Sequence, residues 1–160
     1  EKMSEIIKGS VNVKSFLIAD GDDHTGVIAK TGDIKATDGN MVITSATKGI
    51  VHANSGTITQ ATDHTNGVTI NATSGVITLA AVALNATTNA EFTVTNSTVQ
   101  ADSVILVTVQ DENTTDNKSI FATIHTVAAG SFIINLANPN SSGNTSATAS
   151  KVHFLVINNS

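Results

Sequence analysis

The 160-residue chain has no cysteine, tryptophan, tyrosine or arginine, and a single proline, Pro139. Without cysteine there are no disulfides and no thiolate metal sites, so packing and assembly must supply the stability of the fold. The lysines are scattered singly, at positions such as Lys30, Lys35, Lys48, Lys118 and Lys151, and the net charge is -5. No basic stripe can therefore neutralise a run of phosphates, and nucleic acid is not expected as a partner. No stretch approaches the roughly 20 apolar residues of a membrane span, and residues 1–10 lack the apolar centre of a signal peptide, so no membrane span is expected. What the chain has in excess is Ser, Thr and Asn, about a third of all residues, well above the average globular mix. Its chemistry is that of hydroxyls, amides and aliphatic side chains.

The length fits one ordinary domain, or one domain with an arm. Apolar residues alternate with polar ones or form short runs punctuated by glycine, which is the period of half-buried strands. The spacing predicts an all-β fold in three regions. Residues 1–25 read as an N-terminal anchoring arm with one strand-like stretch, Val11–Ile18, closed by the acidic turn Asp20-Gly21-Asp22-Asp23-His24. Residues 26–89 read as very short strands, at Val27-Ile28, Asp33–Lys35, Met41–Ile43, Gly49–Val51, Thr57–Thr59 and Gly67–Ile70, with Gly or Asn closing nearly every one. Ala80, Ala81 and Ala83 favour a turn of helix at Leu79–Leu84, and the flanking residues reduce it to a linker turn.

Strands this short bury little alone. A leucine-sized side chain contributes about 1.5–3 kcal/mol when fully buried, against about 1–2 kcal/mol per residue for ordering the backbone. The region is therefore expected to need neighbours, most simply copies of itself intertwined in an oligomer. Val11, Val13, Phe16, Leu17 and Ile18 of the arm, with Ile34, Val42, Ile50, Ile58, Val68 and Ile70 of the short strands, are the expected assembly residues.

From residue 90 to residue 160 the strands lengthen and the apolar residues grow. Phe92 and Val94 share a face. Val104 and Leu106 oppose Ile105, Val107 and Val109. Phe132, Ile134 and Leu136 share another face, as do Val152, Phe154 and Val156. Ser119–Val127 is a further strand, with Ile120 and Ile124 opposite Phe121 and His125, and Asn138–Ser150 is a polar loop. At least five strands, two of them apolar on both faces, imply a β-sandwich of jelly-roll type.

No catalytic, cofactor-binding or metal site emerges. His24, His52, His64, His125 and His153 are widely spaced and form no metal-binding pair on a helix. A three-fold axis past His125 or His153 could gather an ion, but hydrogen bonding is the commoner role of axial polar residues. Asp20-Gly21-Asp22-Asp23 lacks the sixth-position glycine and the distant glutamate of a calcium loop, and reads as a solvated turn. Asp111, Glu112 and Asp116 could pair carboxylates for glycoside hydrolysis, but they fall in a polar hairpin loop with no aromatic platform. Triplets such as Asn71-Ala72-Thr73, Asn96-Ser97-Thr98 and Asn144-Thr145-Ser146 match glycosylation acceptors, as a chain rich in these residues does by chance.

The order Thr31-Gly32-Asp33-Ile34, Asp38–Ile43, Lys48-Gly49-Ile50, Gly67–Asn71 and Ser74–Leu79 resembles structural proteins of tailed bacteriophages. Glu91–Ser97, Ala101–Val104, Ala128–Phe132, Asn135–Asn138 and His153–Ile157 then follow one another as in a C-terminal sandwich domain of such virion proteins. The resemblance implies a non-enzymatic fibre, spike or capsid-decoration subunit, commonly trimeric, on the exterior surface of the virion. The length favours a decoration, cement or short head-fibre protein. Its partners would be further copies of itself and the major capsid protein or another virion protein. The alternative is a tail-fibre or spike tip that binds a host-cell receptor or glycan, a role to which the absence of Trp and Tyr is unfavourable.

Overall fold

The structure, a computed structural model, describes residues 46–47, 49–110, 119–145 and 147–159. Among these residues there are eight strands and no helix: β1 (Ser55–Thr59), β2 (Val68–Thr69), β3 (Ser74–Thr78), β4 (Asn89–Thr95), β5 (Val104–Gln110), β6 (Phe121–Ala128), β7 (Ser131–Ala137) and β8 (Lys151–Ile157). The all-β expectation is met. The strands form two four-stranded sheets, ordered β1-β3-β8-β5 and β2-β4-β7-β6.

Both sheets are mixed. β1 pairs with β3 and β2 with β4 in parallel, while the other pairs are antiparallel. The parallel pairs arise because β1 to β4 alternate between the sheets, so every second strand returns to the same sheet pointing the same way. An alternating hydrophobic pattern reports which residues share a face but not which way a strand runs, so this winding was not visible in the pattern.

The inward rows agree with the expected faces. Ala90, Phe92 and Val94 of β4 and Phe132, Ile134 and Leu136 of β7 line one side of the core. Ile77 of β3, Ile105 of β5 and Val152, Phe154 and Val156 of β8 line the other. Phe132 and Phe154, one from each sheet, meet with ring centroids 5.6 Å apart at an interplanar angle of 56°. Such a tilted pair contributes about 0.5–1.5 kcal/mol beyond its area.

β6 keeps its phase by a bulge. Ile124 pairs with Ile134 and Thr126 with Ile133, leaving His125 as the extra residue. Simple alternation after Ile124 would turn Thr126 inward and Val127 outward. The bulge instead leaves both His125 and Thr126 exposed and returns Val127 to the core side.

Strands on either side of residue 90 share each sheet: β3 lies between β1 and β8, and Ile50–Ser160 forms one compact unit. The short strands β1 to β3 have strand neighbours within the chain, and Val68 and Ile70 are buried in its core. The segment Leu79–Leu84 lies in the non-helical connection from β3 to β4, as the linker reading has it, with Leu79, Ala80 and Leu84 buried and the Ala80 amide donating to the Gln60 side chain. Among the described residues no helix is long and apolar enough to cross a membrane.

Gly75 is required where β1, β3 and β8 meet. A Cβ there would lie 2.7 Å from Cε1 of Phe154, 2.8 Å from the Gly56 carbonyl oxygen and 2.9 Å from Cδ1 of Ile70. Gly75→Ala is expected to lower the unfolding free energy by about 1–3 kcal/mol in urea titration. Gly56→Ala should cost less, because its nearest neighbour is the flexible Ile70 side chain at 3.2 Å.

Candidate interaction face

The outward rows of the two sheets differ in chemistry. On the β1-β3-β8-β5 sheet the register places Val104 beside Ile157, and Leu106 beside Leu155. The next row runs Thr57, Val76, His153, Thr108, and the last runs Thr59, Thr78, Lys151, Gln110. One end of this face is therefore aliphatic and the other polar. Val104 is 47% exposed, Leu106 52% and Ile157 45%. Adjacent exposed aliphatic side chains on a sheet mark a contact surface more often than scattered ones do. The depression between Leu106, His153 and Leu155 holds only 200 Å³, below the range of small-ligand sites. It suits an apposed surface rather than an enclosed ligand.

The outward face of the β2-β4-β7-β6 sheet is mostly polar. Glu91 of β4, Asn135 of β7 and Thr123 of β6 lie in one row. The bulged His125 donates from Nδ1 to Oε1 of Glu91 at 2.6 Å. Both side chains are about half exposed, and a polar contact so open to solvent contributes little to stability.

The remaining candidates are dispersed. His52 is exposed, and His153 contacts the Gln110 side chain through Nε2 at 3.0 Å. Among the described residues no group of three His, Cys, Asp or Glu could hold a metal ion. Of the expected assembly residues, Ile50 is 71% exposed and Ile58 is half-buried against the core, whereas Val68 and Ile70 lie inside it. Val11, Val13, Phe16, Leu17, Ile18, Ile34 and Val42 lie outside the described residues, as do His24, the Asp20–Asp23 turn, Asp111, Glu112 and Asp116.

His64 is the one buried histidine among the described residues. Its Nε2–H donates to the Val82 carbonyl at 2.9 Å, while Nδ1 is buried without a partner. Burial pushes its pKa below the ordinary 6.5, against smaller opposing effects of the Val82 hydrogen bond and Asp63. Asp63 is itself held below the usual carboxylate range, first by the Thr65 hydroxyl and then by the Thr65 amide.

The amide side chains that organise the loops were not singled out in the sequence. Asn96, fully buried, donates from Nδ2 to the Ala72 carbonyl and accepts at Oδ1 from the Thr98 amide and hydroxyl. Asn138 donates to the carbonyls of Leu84, Asn85 and Gly143 and accepts from Asn140. Burial excludes Asn96 as a glycosylation acceptor in the folded chain. The signal for these roles was the high Asn content itself, which does not say which asparagines turn inward.

Comparison with known proteins found no matching family model, no matching curated protein and no matching solved structure.

The sign of the His64 effect is fixed by its neutral state. Its folded pKa lies below the unfolded value, so the unfolded chain binds the proton more readily between the two. Stability should therefore fall as pH drops from above 6.5 through the lowered folded pKa, and level off below it. His64→Gln, which keeps a donor for the Val82 carbonyl and cannot titrate, should flatten that limb in urea titrations across pH.

Proposed function

We propose that this chain is non-enzymatic building material of a tailed-phage virion. In this reading it is a capsid decoration, cement or short head-fibre subunit that binds the shell from outside and stabilises it as a trimer. The carrying observation is the aliphatic end of the outward face, Val104, Leu106, Leu155 and Ile157, which leaves apolar surface uncovered on a single chain. The order of sequence motifs supplies the phage context. A decoration protein works by burying surface across neighbouring subunits, so that separating them must re-expose it.

In this reading the two sheets are the layers of a sandwich of jelly-roll type, supported by the antiparallel neighbours β4, β7 and β6 in one sheet and β3, β8 and β5 in the other. β1 and β2 are parallel additions at the edges. Residues 1–25 serve as the anchoring arm toward the major capsid protein or another virion protein. The polar loop after β7, which a receptor-binding tip would need free, is instead tied down by Asn138 and by the reciprocal Leu84–Thr145 hydrogen bonds.

The full chain should sediment as a trimer at micromolar concentration. Val104→Lys combined with Leu106→Lys should shift it to monomers with unchanged circular dichroism. A wild-type chain that sediments as a stable folded monomer would count against the reading. Deletion of residues 1–25 should abolish co-sedimentation with phage shells lacking this subunit while leaving the two sheets folded, and continued binding by the truncated protein would remove the arm from the role of anchor.

A further inference from the structure

The outward face of the β2-β4-β7-β6 sheet holds a cluster that the assembly reading does not use. Glu91 lies on β4 and His125 on β6, with β7 between them. Their contact, Nδ1 to Oε1 at 2.6 Å, therefore reaches across β7. The β7 residue directly opposite Glu91 is Asn135, which also turns outward. Opposed residues carry Cβ atoms about 4.5–5.5 Å apart, so the Asn135 amide and the Glu91 carboxylate are neighbours.

That amide is the anomaly of this face. Its Oδ1 is closed off from solvent and has no hydrogen-bond partner, although the residue faces outward. Proteins seldom leave such an acceptor unpaired, and an ion is one of the few things that accounts for it. A water would serve Oδ1 equally well, but it would give no reason for an imidazole and a carboxylate to converge beside it. A cation uses all three.

An imidazole nitrogen, a carboxylate oxygen and an amide oxygen are all lone-pair donors, and the mixture suits zinc and its first-row neighbours. The electrostatics agree. Glu91 is the only carboxylate on β2, β4, β6 and β7, and these strands contain no lysine, so they offer one negative charge and no fixed positive one. Glu91 and His125 are about half exposed, which leaves water access to an ion between them. A depression of 290 Å³ beside Glu91, lined also by Thr65, Gly67, Thr93 and Ile133, adds to that access.

We propose that Glu91, His125 and Asn135 bind one divalent ion of the zinc class through a carboxylate oxygen, Nδ1 and Oδ1, with water completing the shell. Because the third ligand is an amide, the site needs no third His, Cys, Asp or Glu. Two ligands of a tetrahedral zinc ion lie about 3.3 Å apart, so Nδ1 and Oε1 have to part by only about 0.7 Å, which side chains this exposed accommodate. The Nδ1 proton passes to Nε2 or to solvent as the metal takes its place, leaving a neutral imidazole. The inference goes beyond the virion reading and stands whether or not that reading does.

The test is equilibrium dialysis of the full chain against Zn²⁺ alone, with circular dichroism to verify the fold of each variant. The unaltered chain should bind one Zn²⁺, and His153→Ala should leave the affinity unchanged. His125→Ala and Glu91→Gln should each weaken binding by about tenfold or more. Glu91→Gln is the sharper of the two, since it keeps an acceptor for His125 and loses only the charge. Asn135→Ala should weaken binding as well, whereas Asn135→Asp, which keeps an oxygen and adds a charge, should tighten it. A purely structural hydrogen-bond cluster predicts no such gain. A chain that takes up no Zn²⁺, or whose uptake is unchanged by Glu91→Gln or by both Asn135 substitutions, would overturn the proposal.

Discussion

A buried backbone polar group must find a partner, and this chain repeatedly creates such groups by changing sheet. β1 through β4 cross the rim of the core at every connection, and each crossing carries peptide groups past it. Asn96 and Asn138 answer this directly, each donating to carbonyls of segments remote in sequence while accepting from an amide two residues on. Thr145 and Leu84 bind each other reciprocally, through the Thr145 amide to the Leu84 carbonyl and the Leu84 amide to the Thr145 hydroxyl. Removing any of these side chains would strand buried carbonyls or amides at about 1–3 kcal/mol each. The abundance of Asn, Ser and Thr thus has a structural reading in addition to a surface one. Short polar side chains let a wound β chain close its corners with neither cysteine nor aromatic bulk.

With the corners closed, the rows of each strand are free to differ. Ile77, Val152, Phe154 and Val156 fill one side of the core, while the opposite sides of β8 and β5 turn Leu155, Ile157, Val104 and Leu106 outward. Around Val104–Leu106 and Leu155–Ile157, β5 and β8 are therefore apolar on both faces, as a strand enclosed on both sides would be. That contrast with the polar face bearing Glu91 and His125 is what motivates the proposed assembly role.

Much of this architecture could be read from residues alone, because alternation decides which side chains share a face. Phe92 with Val94, Phe132 with Ile134 and Leu136, and Val152 with Phe154 and Val156 all fall as their spacing requires. Alternation could not show strand direction, so the parallel pairs escaped it, and with them the fact that Val68 and Ile70 serve the chain's own core. It also fails at a bulge, where His125 interrupts the count. Strand length misled in a different way: the two-residue β2 looked too slight to stand alone, yet β4 beside it supplies the missing partner. As for the candidate face, the two-sided apolarity of β5 was legible, but which side remained uncovered depended on how the sheets stack.

The outward face of β1, β3, β8 and β5 contains Lys151 as its one permanently charged residue. Contact made through its aliphatic end would owe little to Coulomb attraction and would be nearly insensitive to ionic strength. Its driving force would be the release of water, which weakens on cooling. An assembly held by such a surface would loosen in the cold and tighten with moderate warmth, the reverse of one held by ion pairs.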